Sequence, residues 1–191
     1  MGIGSLTKKK GTRVLGLDTS TNSIAWALFD SGKPIKCGEV MLKGATVFDR
    51  LYDAKKKTQA LVKAGDFVAD YVAIEATIMA RNINVAIDMA QINGVIIGEL
   101  MVLNPQVHKI APITWQSGIG NPNLKKDEKE QLRRDFPDHK PSWYQNEGRK
   151  IRKQRTLDIA NQYFTITNNS DNVGDAVGLA LYATKALTQR G

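Results

Sequence analysis

The sequence predicts an α/β domain, a mixed five-stranded sheet with helices on both faces. Three observations carry this. Short apolar runs at 13–18, 24–30 and 35–41 follow one another with only turns between them. Two more, at 71–75 and 107–111, are each reached through a stretch of helical character. Two further helical stretches close the chain. Strands joined by turns pair antiparallel and strands joined by long crossovers can pair parallel, so one sheet must hold both kinds.

The elements follow in order. Residues 1–12, with Lys8-Lys9-Lys10, are expected to form a disordered basic arm, and 13–191 a single domain. Val14-Leu15-Gly16-Leu17 is a continuous apolar run that ends in Asp18, as in a buried strand. Asp18-Thr19-Ser20-Thr21-Asn22-Ser23 is a polar turn, and Ile24 to Asp30 a second strand. Ser31-Gly32-Lys33-Pro34 is a turn before a third strand, Ile35 to Met41. A helix is expected from about Ala45 to Gly65, then a strand from Tyr71 to Glu75. Residues 82–103 form the clearest amphipathic helix, with Val85, Met89, Ile92, Ile96 and Leu100 at steps near 3.6. Gly94 and Gly98 lie inside it. Each costs a helix about 1 kcal/mol, which close packing on a strand or a second subunit would offset, unless the helix simply tolerates it. Val107 to Ala111 is the fifth strand, and 112–148 reads as a polar, basic insertion broken by Pro122, Pro137 and Pro141. A basic helix is expected from Arg149 to Tyr163 and a last helix from Asn172 to Leu187.

Charge narrows the partner. The chain carries 27 Lys and Arg against 19 Asp and Glu, a net charge of +8. That balance favours a polyanion, either nucleic acid or an anionic membrane. A membrane is the weaker reading, because no stretch looks like the roughly 18 apolar residues of a span. Residues 125–155 hold eleven cations and six acids, enough to neutralise several phosphates. Lys125, Lys126, Arg149, Lys150, Arg152, Lys153 and Arg155 are the candidate DNA contacts there. Trp143-Tyr144 can stack on unpaired bases or pin the insertion as a small satellite core. Cys37 is the single cysteine, so no internal disulfide can form, which fits a reducing compartment, and a cytoplasmic location is expected. His108 and His139 are isolated, without the ligand spacing of a zinc site.

The acids narrow the chemistry. Asp18 and Glu75 each end a strand, and Asp171 and Asp175 stand four apart at the start of the last helix. Carboxylates at the ends of different elements can gather hard oxygen ligands for magnesium. Singly, each has a plainer role. Asp18 can start a turn, Asp171 or Asn172 can cap a helix, and Asp175 can answer the helix dipole.

These residues also carry a family likeness. Leu15-Gly16-Leu17-Asp18-Thr19-Ser20 is similar to the first-strand motif of RuvC-type Holliday junction resolvases, within the RNase H-like nuclease superfamily. Ala73-Ile74-Glu75-Ala76-Thr77-Ile78-Met79-Ala80-Arg81-Asn82 looks like the second acidic motif and its loop. Ala90-Gln91-Ile92-Asn93-Gly94-Val95 resembles the family's Gln-Ala-x-Gly-Val helix, and Asp171-Asn172-Val173-Gly174-Asp175-Ala176 its closing acidic motif. The likeness is greatest to phage or other divergent members.

The resemblance implies an RNase H-like fold and a homodimeric, magnesium-dependent endonuclease that nicks four-way DNA junctions and leaves a 5′-phosphate. Manganese is expected to substitute. Asp18, Glu75 and Asp175 would hold metal. The family's fourth carboxylate often lies three residues before the last; here that place is Asn172, with Asp171 beside it. Either Asp171 substitutes, or Asn172 is a neutral ligand, or the chain is inactive. Ile78 stands where many relatives insert an aromatic into the junction, with Arg81 as a further DNA contact. Gln116 stands near where many relatives have a lysine, so Lys153 or Arg155 becomes the candidate to stabilise the cleaved phosphate. Two rival readings remain at this level. One is a non-catalytic protein that binds branched DNA. The other is a fragment of an actin-like ATPase or sugar kinase, whose phosphate loop also follows a strand Asp with Thr and Ser.

Overall fold

The computed structural model describes residues 11–76, 83–166 and 170–188. Ile78, Arg81 and the lysines of the N-terminal arm lie outside them. The strands are β1 (Arg13–Thr19), β2 (Ser23–Asp30), β3 (Lys33–Met41), β4 (Tyr71–Glu75) and β5 (Gln106–Ile110). The helices are α1 (Val47–Lys63), α2 (Ile83–Leu100), α3 (Pro112–Gly118), α4 (Lys126–Asp135), α5 (Pro141–Ala160) and α6 (Asp171–Thr188). One 3-10 turn, Met101–Leu103, follows α2.

All five strands form one sheet in the order β3-β2-β1-β4-β5. β1 pairs antiparallel with β2, and β2 with β3, as their short single-turn connections allow. β4 joins β1 in parallel and β5 joins β4 in parallel, after crossovers through α1 and α2. The mixed RNase H-like sheet with helices on both faces is therefore present.

Alternation along the strands sorts the core into two layers. Leu15, Leu17, Trp26, Leu28, Val72 and Ile74 pack on Ala54 of α1 and on Ile92, Ile96 and Leu100 of α2. Val14, Ala25, Ala27, Phe29, Tyr71 and Ala73 pack on Trp115 of α3, Leu157 of α5 and the buried face of α6. Helix α6 is the central element of that second layer. It lies so close to β1 that a Cβ on Gly16 would stand 2.2 Å from the carbonyl oxygen of Ala176. Only glycine permits this approach, two residues before Asp18.

Three expectations need correction. The segment 112–148, expected as an insertion broken by prolines, is mostly helical: it holds α3, α4 and the first turns of α5. The basic helix begins at Pro141, whose missing N–H suits a first-turn position, and it runs through Gly148 without a break. Trp115 of that segment is fully buried, fitting its ring against Gly178. Second, Ile83–Leu103 is long and apolar enough, by length and composition, to cross a membrane. In this fold its Ile92, Ile96 and Leu100 face the sheet and α1 instead. Third, Val85 does not continue that buried stripe. Ile83, Val85 and Ile87 are exposed in the first turns of α2.

Candidate active site

Strand register builds the site. Glu39 on β3 pairs with Ala25 on β2, and Ala25 pairs with Asp18 on β1. The β1–β4 register, Leu17 with Ile74, puts Glu75 one step further, beside Asp18. Residues directly opposite one another share a face. The row Glu39, Ala25, Asp18, Glu75 therefore crosses the sheet on the face that α6 covers. The first turns of α6 bring Asp171, Asn172 and Asp175 to the same end, because Gly16 lets the helix settle onto β1.

The electrostatics show what this convergence costs. Burial pushes Asp18 up to about 8, and repulsion from Asp175, Glu75 and Glu39 adds to it, while Lys153 works against it. Burial, then repulsion from Glu75, pushes Asp175 up to about 7, again opposed by Lys153. Glu75 is raised by burial and partly relieved by Trp115, whose indole N–H donates to its carboxylate at 3.0 Å. Lys153 donates to Asp171 at 2.8 Å, which raises its own pKa. Asp171 is thus engaged by a cation and partly exposed, whereas Asp18 and Asp175 are not directly neutralised. Among the described residues, no three His, Cys, Asp or Glu side chains are already grouped as a metal site. The acids influence one another without having closed to ligand distances.

Glu39 and Trp115 were not singled out in the sequence. Burial alone would raise Glu39, but hydrogen bonds from Asn172, Ser170 and Ser23 outweigh it and hold Glu39 low. The Asn172 amide donates to Glu39 at 2.7 Å and to Ser23 Oγ at 3.3 Å. Helix α2 is tied to the end of β1 where Thr19 Oγ1 donates to Asn93 Oδ1. The turn after Asp18 closes on itself: the N–H groups of Asn22 and Ser23 donate to Ser20 Oγ at 3.1 and 3.0 Å. Donors that a phosphate loop would offer to nucleotide are used inside this turn.

A pH dependence follows. Asp18 and Asp175 keep their protons in the folded protein at pH values where the unfolded chain, with the ordinary aspartate value of 3.8, has lost them. The native state then binds more protons, so stability falls as pH rises through that window. Glu75, also raised by burial, adds to this; Glu39, held low, opposes it only below the window, and His108, lowered by burial, opposes it inside the window as one group against three. In chelator, the melting temperature is expected to fall between pH 5 and pH 8 and to be recovered by millimolar magnesium at pH 8. A flat profile would contradict the charge crowding.

The basic segment lies on α4 and α5. Several of its cations are paired internally: Lys126 with Glu130 at 3.8 Å, Lys150 with Glu147 at 3.0 Å, and Arg155 with Glu128. Arg152 bonds Asn123. The Lys125 backbone N–H donates to Glu128 at 2.7 Å. Lys129, Arg133, Arg149 and Arg152 line a cavity of about 660 Å³ between the two helices, together with Tyr144 and no acid. Trp143 stacks on His139 at 4.0 Å and contacts Phe136 and Tyr144, so it belongs to a satellite aromatic cluster.

With this geometry established, likeness to known proteins becomes informative. Thermus thermophilus RuvC in complex with a Holliday junction substrate superposes on 94% of this chain and 95% of its own, at a TM-score of 0.63 and 12% identity. A second Thermus thermophilus RuvC structure covers 93% and 96%, at 0.63 and 11% identity. The yeast mitochondrial Holliday junction resolvase Ydc2 covers 98% of this chain and 83% of its own, at 0.52 and 10% identity. At such identities the likeness is one of fold. No curated protein sequence gives a match. The family model for crossover junction endodeoxyribonuclease RuvC matches residues 14–134, more than half the chain, including Asp18 and Glu75. The motif on α6 lies beyond that match and enters through the fold. The chain belongs to the RuvC family, as a divergent member of the RNase H-like nuclease superfamily.

Proposed function

We propose that the protein is a magnesium-dependent endonuclease that cleaves Holliday junctions and other branched DNA by phosphodiester hydrolysis. The observation that carries this reading is the row of Asp18 and Glu75 on the sheet facing Asp175 of α6, with Lys153 as its cationic neighbour. The donor set fits magnesium or manganese: it is all oxygen, mostly anionic, and too crowded to ionise freely without a countercharge. Asp18, Glu75 and Asp175 would hold two ions, with Asn172 as a neutral oxygen donor. Bound there, magnesium would polarise the phosphodiester and lower the pKa of the attacking water. The chain's own groups do the rest. Trp115 holds Glu75 in orientation. Asp171 holds Lys153 at the edge of the cluster, where its charge can meet the phosphate. A cytoplasmic location is part of this proposal, since the free Cys37 would stay reduced there.

The cationic cavity between α4 and α5 supports DNA binding beside the cluster, with Lys129 and Arg133 joining the cations read from the sequence. Exposed Ile83, Val85 and Ile87, with nothing within 4 Å of a Cβ at Gly94 or Gly98, support α2 as the face for a second copy. Asn172 and the unclosed acids favour one alternative, a non-catalytic binder of branched DNA.

The test is cleavage of synthetic four-way junction, linear duplex and RNA–DNA hybrid, each in magnesium and in chelator. Nicking of the junction that chelator abolishes is the expected result. Tight junction binding without nicking in magnesium or manganese would select the alternative, and equal cleavage of plain duplex would remove the selectivity.

A further inference from the structure

We infer that Glu39, on β3, is a positioning residue for Asn172: it fixes the amide so that the carbonyl oxygen, not the nitrogen, is presented for a divalent cation. The inference rests on the metal reading above and concerns a residue outside the family's acidic motifs.

An asparagine side chain has two unlike ends, an NH2 that only donates and an oxygen that only accepts. A hard cation takes the oxygen. A free amide would sample both orientations, and half of them would oppose binding. Here the nitrogen is held by two acceptors, Glu39 Oε1 at 2.7 Å and Ser23 Oγ at 3.3 Å. The carbonyl oxygen has no protein donor among the described residues. Glu39 is itself anchored. Its other oxygen accepts from Ser170 Oγ at 2.8 Å, and Ser170 in turn accepts the Val173 N–H at 3.3 Å at the start of α6. Edge strand and helix start are thereby clamped around Asn172.

The clamp also accounts for the departure at this position. A carboxylate at 172 would have no proton to give Glu39 and would face it at hydrogen-bond range, two anions in a half-buried corner. Glu39 and Asn172 are therefore a matched pair: the acid on β3 requires an amide on α6. Restoring the family's carboxylate alone would break the pair rather than repair the site.

The test measures Mn2+ affinity by the electron paramagnetic resonance of free Mn2+, with melting temperature in chelator as the second readout. Four variants are compared with the full wild-type chain: Glu39→Ala, Glu39→Gln, Asn172→Asp and the double variant Asn172→Asp with Glu39→Gln. Glu39→Ala is expected to weaken Mn2+ binding about 10-fold or more, the usual cost of losing a ligand-orienting partner. Glu39→Gln also loses the nearby charge but keeps an acceptor for the amide, so its loss of affinity is expected to be clearly smaller than that of Glu39→Ala. Asn172→Asp is expected to lower the melting temperature, and the double variant to recover it, since the new amide donates to the new carboxylate. Wild-type affinity in Glu39→Ala would overturn the inference. So would equal losses in Glu39→Ala and Glu39→Gln, because the charge and not the orientation would then matter. No Mn2+ binding by the wild type would instead remove the metal reading itself, a distinguishable failure.

Discussion

Asp18→Asn is expected to abolish junction cleavage and, in chelator, to raise the melting temperature. The two effects have one origin. Asp18 is pushed up to about 8 because burial and three neighbouring acids penalise its charge. Asparagine has nearly the same shape and no charge, so the folded protein is relieved of that penalty. At pH 8, a gain of at least about 2 °C is expected, the shift that roughly 1 kcal/mol produces in a chain of this size. The same substitution removes an anionic oxygen from the proposed cation site. A loss of several kcal/mol of charge stabilisation corresponds to about a thousandfold or more in rate. Nicking of a labelled four-way junction and calorimetry in chelator measure the two arms. A variant that is less stable than wild type would show that Asp18 is a structural acid.

Gly16→Ala is the second large effect, and here stability and site fall together. The added Cβ would lie 2.2 Å from Ala176 O, 2.6 Å from Ala180 N and 2.8 Å from Ala180 Cβ. The first two are backbone atoms of a buried helix and cannot step aside. Helix α6 must lift from β1, and Asp175 moves with it, away from Asp18. Overpacking of this kind costs about 1–3 kcal/mol or more, a fall of roughly 3 °C or more in melting temperature. Mn2+ affinity should drop in parallel. Wild-type stability in this variant would mean that the close approach of α6 to β1 does not set the site.

Much of the fold was legible because local pattern and tertiary structure agree. The strand Tyr71–Glu75 matches its expected bounds, since a short apolar run between polar residues has one way to pair in a sheet centre. Other elements shift by a few residues, because pairing partners and not composition end a strand; Ser23 and Gln106 are strand residues by register alone. Asp18, Glu75 and Asp175 were legible as acids ending or starting elements. The helices of 112–148 were obscured by prolines and charges. Pro141 read as a break although it occupies a helix start, and Trp115 is one aromatic in a polar stretch whose slot is made by Gly178, 63 positions away in a segment with no local link to it. Glu39 was not legible at all. It sits on an edge strand of mixed exposure, and its meaning comes from Asn172, distant in sequence and adjacent in space. The letter Asn172 stood out as a departure; the reason for it required the sheet register.

Crystals soaked in millimolar Mn2+ and measured at the manganese absorption edge test the central claim most directly. Anomalous density is expected among the carboxylates of Asp18, Glu75 and Asp175, with the Asn172 carbonyl oxygen turned toward it and Asn172 nitrogen still on Glu39. Absence of density there, in crystals of a protein that still nicks junctions in the same Mn2+, would contradict the account.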